Sequence, residues 1–129
     1  MKKKILFLIL SGMIFTLSLG CVQAQKVGAI SPYLIKYESY FTYSLYSGQS
    51  ARPFSGYSDM VDVSIIWTNP SNVIITVIIK VDGNVVWVGG LKAGQSSPTI
   101  NTGGYTEIII RNDNAFGVDV IGSYTVYFY

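Results

Sequence analysis

From residue 33 onward, apolar and polar positions alternate in short runs, separated by clusters of Gly, Asn, Ser and Pro. No segment sustains a 3.6-residue period for three turns, so the pattern predicts strands rather than helices. Strands are expected at roughly 36–46, 60–68, 73–82, 84–89, 104–111 and 117–128, with a further short one near 97–102. The polar stretch 47–59, SGQSARPFSGYSD, reads as the longest connecting loop.

Neighbouring side chains on a strand point to opposite faces, so alternation assigns a core side to each segment. Tyr37, Phe41, Tyr43 and Leu45 face one way, and Glu38, Tyr40, Thr42, Ser44 and Tyr46 the other. Val61, Val63, Ile65 and Trp67 share a core face opposite Asp62, Ser64 and Thr68. Val73, Ile75, Val77, Ile79 and Val81 form a complete apolar face. Their neighbours Ile74, Thr76, Ile78 and Lys80 form a mixed face, as in a central strand covered on both sides. Near the end, Val118, Val120, Tyr124, Val126 and Phe128 face the core, and Asp119, Ile121, Ser123, Thr125, Tyr127 and Tyr129 face away.

Asp82-Gly83 is a hairpin turn, but two registers fit it. A two-residue loop pairs Val81 with Asn84 and sets Trp87 opposite Ile78 on the mixed face. A three-residue loop with a glycine bulge sets it opposite Val77 on the core face. Six to eight short strands with Gly-rich turns make an all-β fold, a single antiparallel β-sandwich of jelly-roll or Ig-like type over residues 33–129.

Ahead of this domain, residues 1–24 have the form of an export signal. Lys2-Lys3-Lys4 precedes an apolar run from Ile5 to Leu19, and Val22-Gln23-Ala24 offers small residues for cleavage before Gln25. A second cleavage site fits as well: Leu17-Ser18-Leu19-Gly20-Cys21 resembles a lipoprotein box, which would end the signal at residue 20 and place lipid on Cys21. Residues 25–32 form a lead-in. Either way the expected location is outside the cell, free or lipid-anchored to the envelope, with no other membrane attachment.

Cleavage changes the charge. The chain has nine basic and seven acidic residues. Lys2, Lys3 and Lys4 leave with the signal, so six basic and seven acidic groups remain, for a net charge of −1. No basic run survives, which excludes a nucleic-acid partner. The chain has no histidine and a single cysteine, Cys21. Imidazole-dependent nucleophilic catalysis and disulfide staples are thus absent from the domain, and the seven carboxylates are scattered. The expectation is a non-catalytic protein with no cofactor.

The stretches Gly104-Tyr105-Thr106 and Gly122-Ser123-Tyr124-Thr125 give the C-terminal two thirds a resemblance to small secreted bacterial β-sandwich modules of the pre-peptidase C-terminal type. That resemblance implies a module that assists binding or secretion. In those modules a catalytic domain precedes, whereas this chain is expected to carry none.

Candidate chemistry then rests on aromatics. Sugar faces pack on Tyr and Trp rings while polar groups at the rim orient the hydroxyls. Tyr40, Tyr46, Trp87, Tyr127 and Tyr129 are the outward aromatics, and Arg52, Phe54 and Tyr57 the distinctive residues of the 47–59 stretch. Asn112, Asp113, Asn114 and Asp119 gather hard oxygen atoms that suit calcium, though equally a plain Asx turn. Two functions fit this inventory. One is a surface module binding glycan, cell wall or a protein partner. The other is a structural envelope or matrix protein that self-associates through strand edges, with a secreted β-type toxin or antimicrobial as its variant.

Overall fold

The computed structural model describes residues 34–129. The expected signal segment, Cys21 and the expected 25–32 lead-in lie outside the described residues. Seven strands follow in order: β1 (Ile35–Leu45), β2 (Ser50–Asn69), β3 (Ile75–Val81), β4 (Asn84–Leu91), β5 (Gln95–Ser96), β6 (Ile100–Arg111) and β7 (Val118–Phe128). All pairings are antiparallel, and the hydrogen-bonded order is β1-β7-β2-β6-β3-β4, with β5 beside β2. The fold is all-β, as the alternation predicts, and the described residues contain no helix.

The sandwich-like core comes from β2. Its first half, Ser50 to Val61, pairs with β6, and its second half, Met60 to Asn69, pairs with β7. Twenty residues of one strand therefore belong to two half-sheets. One half-sheet runs β2-β6-β3-β4 and the other β1-β7-β2-β5. Their inner faces meet in one hydrophobic cluster: Val61, Val63, Ile75, Val77, Ile79, Ile108, Ile110 and Val120 are all fully buried. Burying each such side chain stabilises the fold by about 1.5–3 kcal/mol relative to leaving it in water.

Residues 47–59 are corrected most: only the turn before Ser50 is irregular, and the rest is strand. Two features of this segment disguise a strand in the sequence. It lies at the border of its half-sheet, so polar Ser50 and Ser55 stay exposed. Pro53 falls where the register slips between Ala51 and Phe54, a bulge in which a missing N–H breaks no ladder bond. Similarly, the short strand expected near 97–102 merges into β6, which starts at Ile100. Gly103, at φ +57°, occupies the register slip opposite Asp59.

Bulges also move both tryptophans. Ile65 pairs with Gly122 and Trp67 with Ile121, which leaves Ile66 as an extra residue. Beyond it the alternation is inverted: Trp67 is 47% exposed and Thr68 is buried, the reverse of the expected faces. At the hairpin, Val81 pairs with Asn84, and Asp82 and Gly83 have φ of +50° and +83°. That is the two-residue turn with two left-handed positions. Val86 is then an extra residue, so Trp87 pairs with Ile79, and its ring packs half-buried against the core. The turn matches one expected register and the side of the ring matches the other.

The inversion leaves one mark. Among the described residues, buried Thr68 Oγ1 has no hydrogen-bond partner, an orphan that stabilises nothing. Thr68→Val keeps the shape and removes the hydroxyl, and should raise stability by about 1 kcal/mol. A urea midpoint that rises at unchanged slope would show it; a midpoint that falls would mean the hydroxyl is satisfied in solution.

Candidate functional site

The residues expected to carry binding are distributed over several surfaces. Arg52 Nη1 donates to Glu107 Oε2 at 2.6 Å, bridging β2 and β6 on a solvent-exposed face. Phe54 turns inward, its ring 5.4 Å from that of Tyr124. Tyr57 is exposed on the outer face beside Tyr105, and its hydroxyl donates to Asp59 Oδ1 at 2.8 Å. Arg52 and Tyr57 lie on the outer face while Phe54 packs inward, so the three do not form one contact. Trp87 is likewise removed from the outward set by the bulge at Val86.

Tyr37 shares the inward parity of Phe41 yet is 67% exposed. It lies past the end of the core, edge-on to Phe128 at 6.3 Å. With Phe54, Tyr124 and Phe128 it lines an open cleft of about 290 Å³ between β1, β2 and β7. Tyr46, 78% exposed, belongs to the β1–β2 turn, where Gln49 Oε1 accepts from its backbone N–H at 2.9 Å.

The four oxygen-bearing residues considered for calcium are each committed elsewhere. Asn112 is fully buried: its Nδ2 donates to Leu45 O (3.0 Å) and Phe116 O (2.7 Å), and its Oδ1 accepts from Asn114 N (2.9 Å). Asn114 Nδ2 reaches Ile74 O. Asp113 accepts from Arg111 Nε at 2.7 Å and from Thr76 Oγ1 at 2.7 Å. Asp119 accepts from Ser44 Oγ at 2.7 Å. The cluster acts as a clamp between the β1–β2 turn and the β6–β7 loop. Among the described residues, no three acidic or cysteine side chains are grouped to hold a metal ion.

The electrostatics follow from these contacts. The Arg111 hydrogen bond, then that of Thr76, holds the Asp113 carboxyl below its ordinary value. Its folded pKa is depressed, so this support is present above the unfolded pKa and fades as pH falls through the folded value. The hydrogen bond to Asp62, followed by burial, raises the Tyr127 phenol, and Asp59 does the same for Tyr57. Both phenols stay protonated donors well above neutral pH.

One surface does collect exposed aromatics: the outer face of the half-sheet β1-β7-β2-β5. Strand register places Tyr40, Ser123, Ser64 and Ser96 in one row, and Thr42, Ile121 and Trp67 in the next. Tyr40 is 68% exposed, as alternation predicts. Trp67 is absent from the sequence-derived set, because simple alternation buries it and only a bulge at Ile66 brings it out. Tyr127 sits two rows away with its hydroxyl donated to Asp62 and Lys36 Nζ 5.9 Å from its ring centre.

The free edges are the other surface of note. Among the described residues, β1 and β4 end the strand order. Between Asn84 and Leu91, β4 has no charged residue, and Val85, Val86 and Val88 are 53%, 45% and 55% exposed.

No family model matches the chain, and no curated protein does. Its fold does have a likeness among solved structures. A chain described in "Bacillus endospore appendages form a novel family of disulfide-linked pili" is similar over 81% of this chain and 97% of its own length, at 9% identity and a TM-score of 0.50.

Proposed function

We propose that this chain is a structural subunit that self-associates outside the cell, rather than a catalyst or a solitary binding module. The observation that carries the proposal is the state of β4. An exposed strand edge is a template for another strand, and proteins that must stay single blunt their edges with charge, proline or a covering element. β4 has an eight-residue edge with three exposed valines and neither charge nor proline. Among the described residues, no strand pairs with its outer edge. At the opposite end, β1 offers eleven residues with Ile35, Tyr37 and Tyr40 exposed.

Two further facts support the same reading. The fold is similar to that of a pilus protein from Bacillus endospore appendages, and residues 1–24 have the form of an export signal.

The test is sedimentation velocity of the chain from Gln25 over a wide concentration range, with electron microscopy of the same samples. The wild type should form species that grow with concentration. A double Val86→Lys, Val88→Lys variant should stay monomeric with a urea midpoint close to the wild type, because both side chains are about half exposed and a lysine stem can cover the same surface. A wild type that remains monomeric at every concentration overturns the proposal.

A further inference from the structure

We propose that the outer face of the half-sheet β1-β7-β2-β5 is a binding surface for a neutral, extended glycan chain, gripped between Tyr40 and Trp67. The two rings stand on strands separated by β7, one row apart. Two strand spacings and one pleat repeat put their backbones about 12 Å apart. The positions between them are low: Ser123 is 94% buried at the foot of Tyr40, Ser64 is half-buried, and Ile121 is half-buried beside Trp67. Register thus sets the two rings on either side of β7, whose Ser123 and Ile121 lie lower, with the Ser64 and Ser96 hydroxyls beside Trp67.

Charge selects the occupant. On this face Glu38 and Asp62 stand on the row at one side of the two rings, and Asp119 stands on the row at the other. No residue of the two rows between them carries a charge. Two of the flanking acids are also engaged within the fold, Asp62 by the Tyr127 hydroxyl and Asp119 by Ser44. A polyanion would be repelled by the acidic flanks, and a cationic partner would find no free carboxylate between the rings. A neutral polyhydroxylated chain matches both parts: its CH faces lie on the rings and its hydroxyls exchange water for Ser64 and Ser96. The two serine hydroxyls lie 2.6 Å apart in a hydrogen bond across β2 and β5, next to Trp67.

This surface is independent of the free edges. Edge pairing leaves sheet faces open, so an assembled array would repeat this surface, and many weak contacts would add by avidity.

The probes are cellohexaose and chitohexaose in solution and insoluble cellulose and chitin for retention. In a Trp87→Phe background Trp67 is the sole tryptophan, and its emission should shift to the blue and saturate with one of the two oligosaccharides. Tyr40→Ala and Trp67→Ala should each weaken binding about ten-fold, while Tyr46→Ala, away from both rings, should leave it unchanged. Sedimentation of the same variants reads self-association separately, so loss of binding with assembly intact assigns this surface. The proposal falls if neither glycan is bound or retained, if the two alanine variants bind like the wild type, or if the polyanion alginate binds as well as the neutral chains. It also falls if Trp67 emission shifts with protein concentration alone, because the face would then be covered by a second copy.

Discussion

An Asn112→Ala variant is expected to lose about 3–4 kcal/mol of stability. The side chain is fully buried and satisfies three backbone groups: the carbonyls of Leu45 and Phe116 and the N–H of Asn114. Alanine leaves them without that partner, and each buried orphan costs about 1–3 kcal/mol, partly offset by local relaxation. The backbone of Asn112 is tied into the same region, since its N–H donates to Gln49 O at 2.9 Å and its carbonyl accepts from Gly48 N at 2.6 Å. Removing the side chain therefore loosens the β1–β2 turn and the β6–β7 loop together.

A second variant, Asn112→Asp, makes the same point through pH. Burial beside two carbonyl oxygens holds the new carboxyl above its unfolded pKa, so the folded state binds the proton more tightly. Stability is then greatest below the unfolded value of about 3.9 and is lost as pH rises from there through the folded pKa. Urea midpoints at several pH values check both variants. A midpoint for the alanine variant within error of the wild type would remove Asn112 from its role as a clamp.

Gly122→Ala is the other large effect, at least about 2 kcal/mol. An ideal Cβ on Gly122 would lie 2.4 Å from Phe41 Cζ and 2.6 Å from Ser64 O. The first neighbour is a buried ring and the second is backbone in the strand paired with β7. Neither can retreat without opening the core or the ladder, so the usual overpacking penalty of about 1–3 kcal/mol is a lower bound. Alanine's lower unfolded-state entropy returns at most about 1 kcal/mol.

Gly89 is the contrast. Its Cβ would meet the Trp87 ring at 2.4 Å, but that ring is half-buried on an edge strand and has room to swing. Gly89→Ala should cost markedly less, with a change in Trp87 fluorescence as the ring moves out. Equal losses at the two sites in chemical denaturation would contradict the distinction between backbone and side-chain neighbours. Gly104 is crowded only by side chains, with Asp82 Oδ2 at 2.8 Å and Val81 Cγ1 at 3.0 Å from an added Cβ.

The legible part of the chain is the part where alternation runs unbroken. Val73, Ile75, Val77, Ile79 and Val81 are all buried, as are Val118, Val120 and Val126. The outward placement of Tyr40 and Tyr46 is equally plain. The candidate surface was half legible: Tyr40 follows from parity, but Trp67 does not, because one uncounted residue at Ile66 reverses the parity after it. The same holds for Trp87, which a bulge at Val86 returns to the core after a turn that would have sent it out.

The sequence by itself thus determined the all-β class and the inner face of each regular strand. These are local properties, since successive side chains alternate on a pleat whatever lies beside it. Tertiary structure alone decided what depends on a neighbouring strand. A bulge exists only where one strand has a residue more than its partner, which sets the final position of both tryptophans. The long β2 serves two half-sheets because β6 and β7 each take half of it, which is why a polar stretch such as 47–59 can end up as strand. Which strands end the order among the described residues, β1 and β4, follows from that order, and no single strand encodes its place in it.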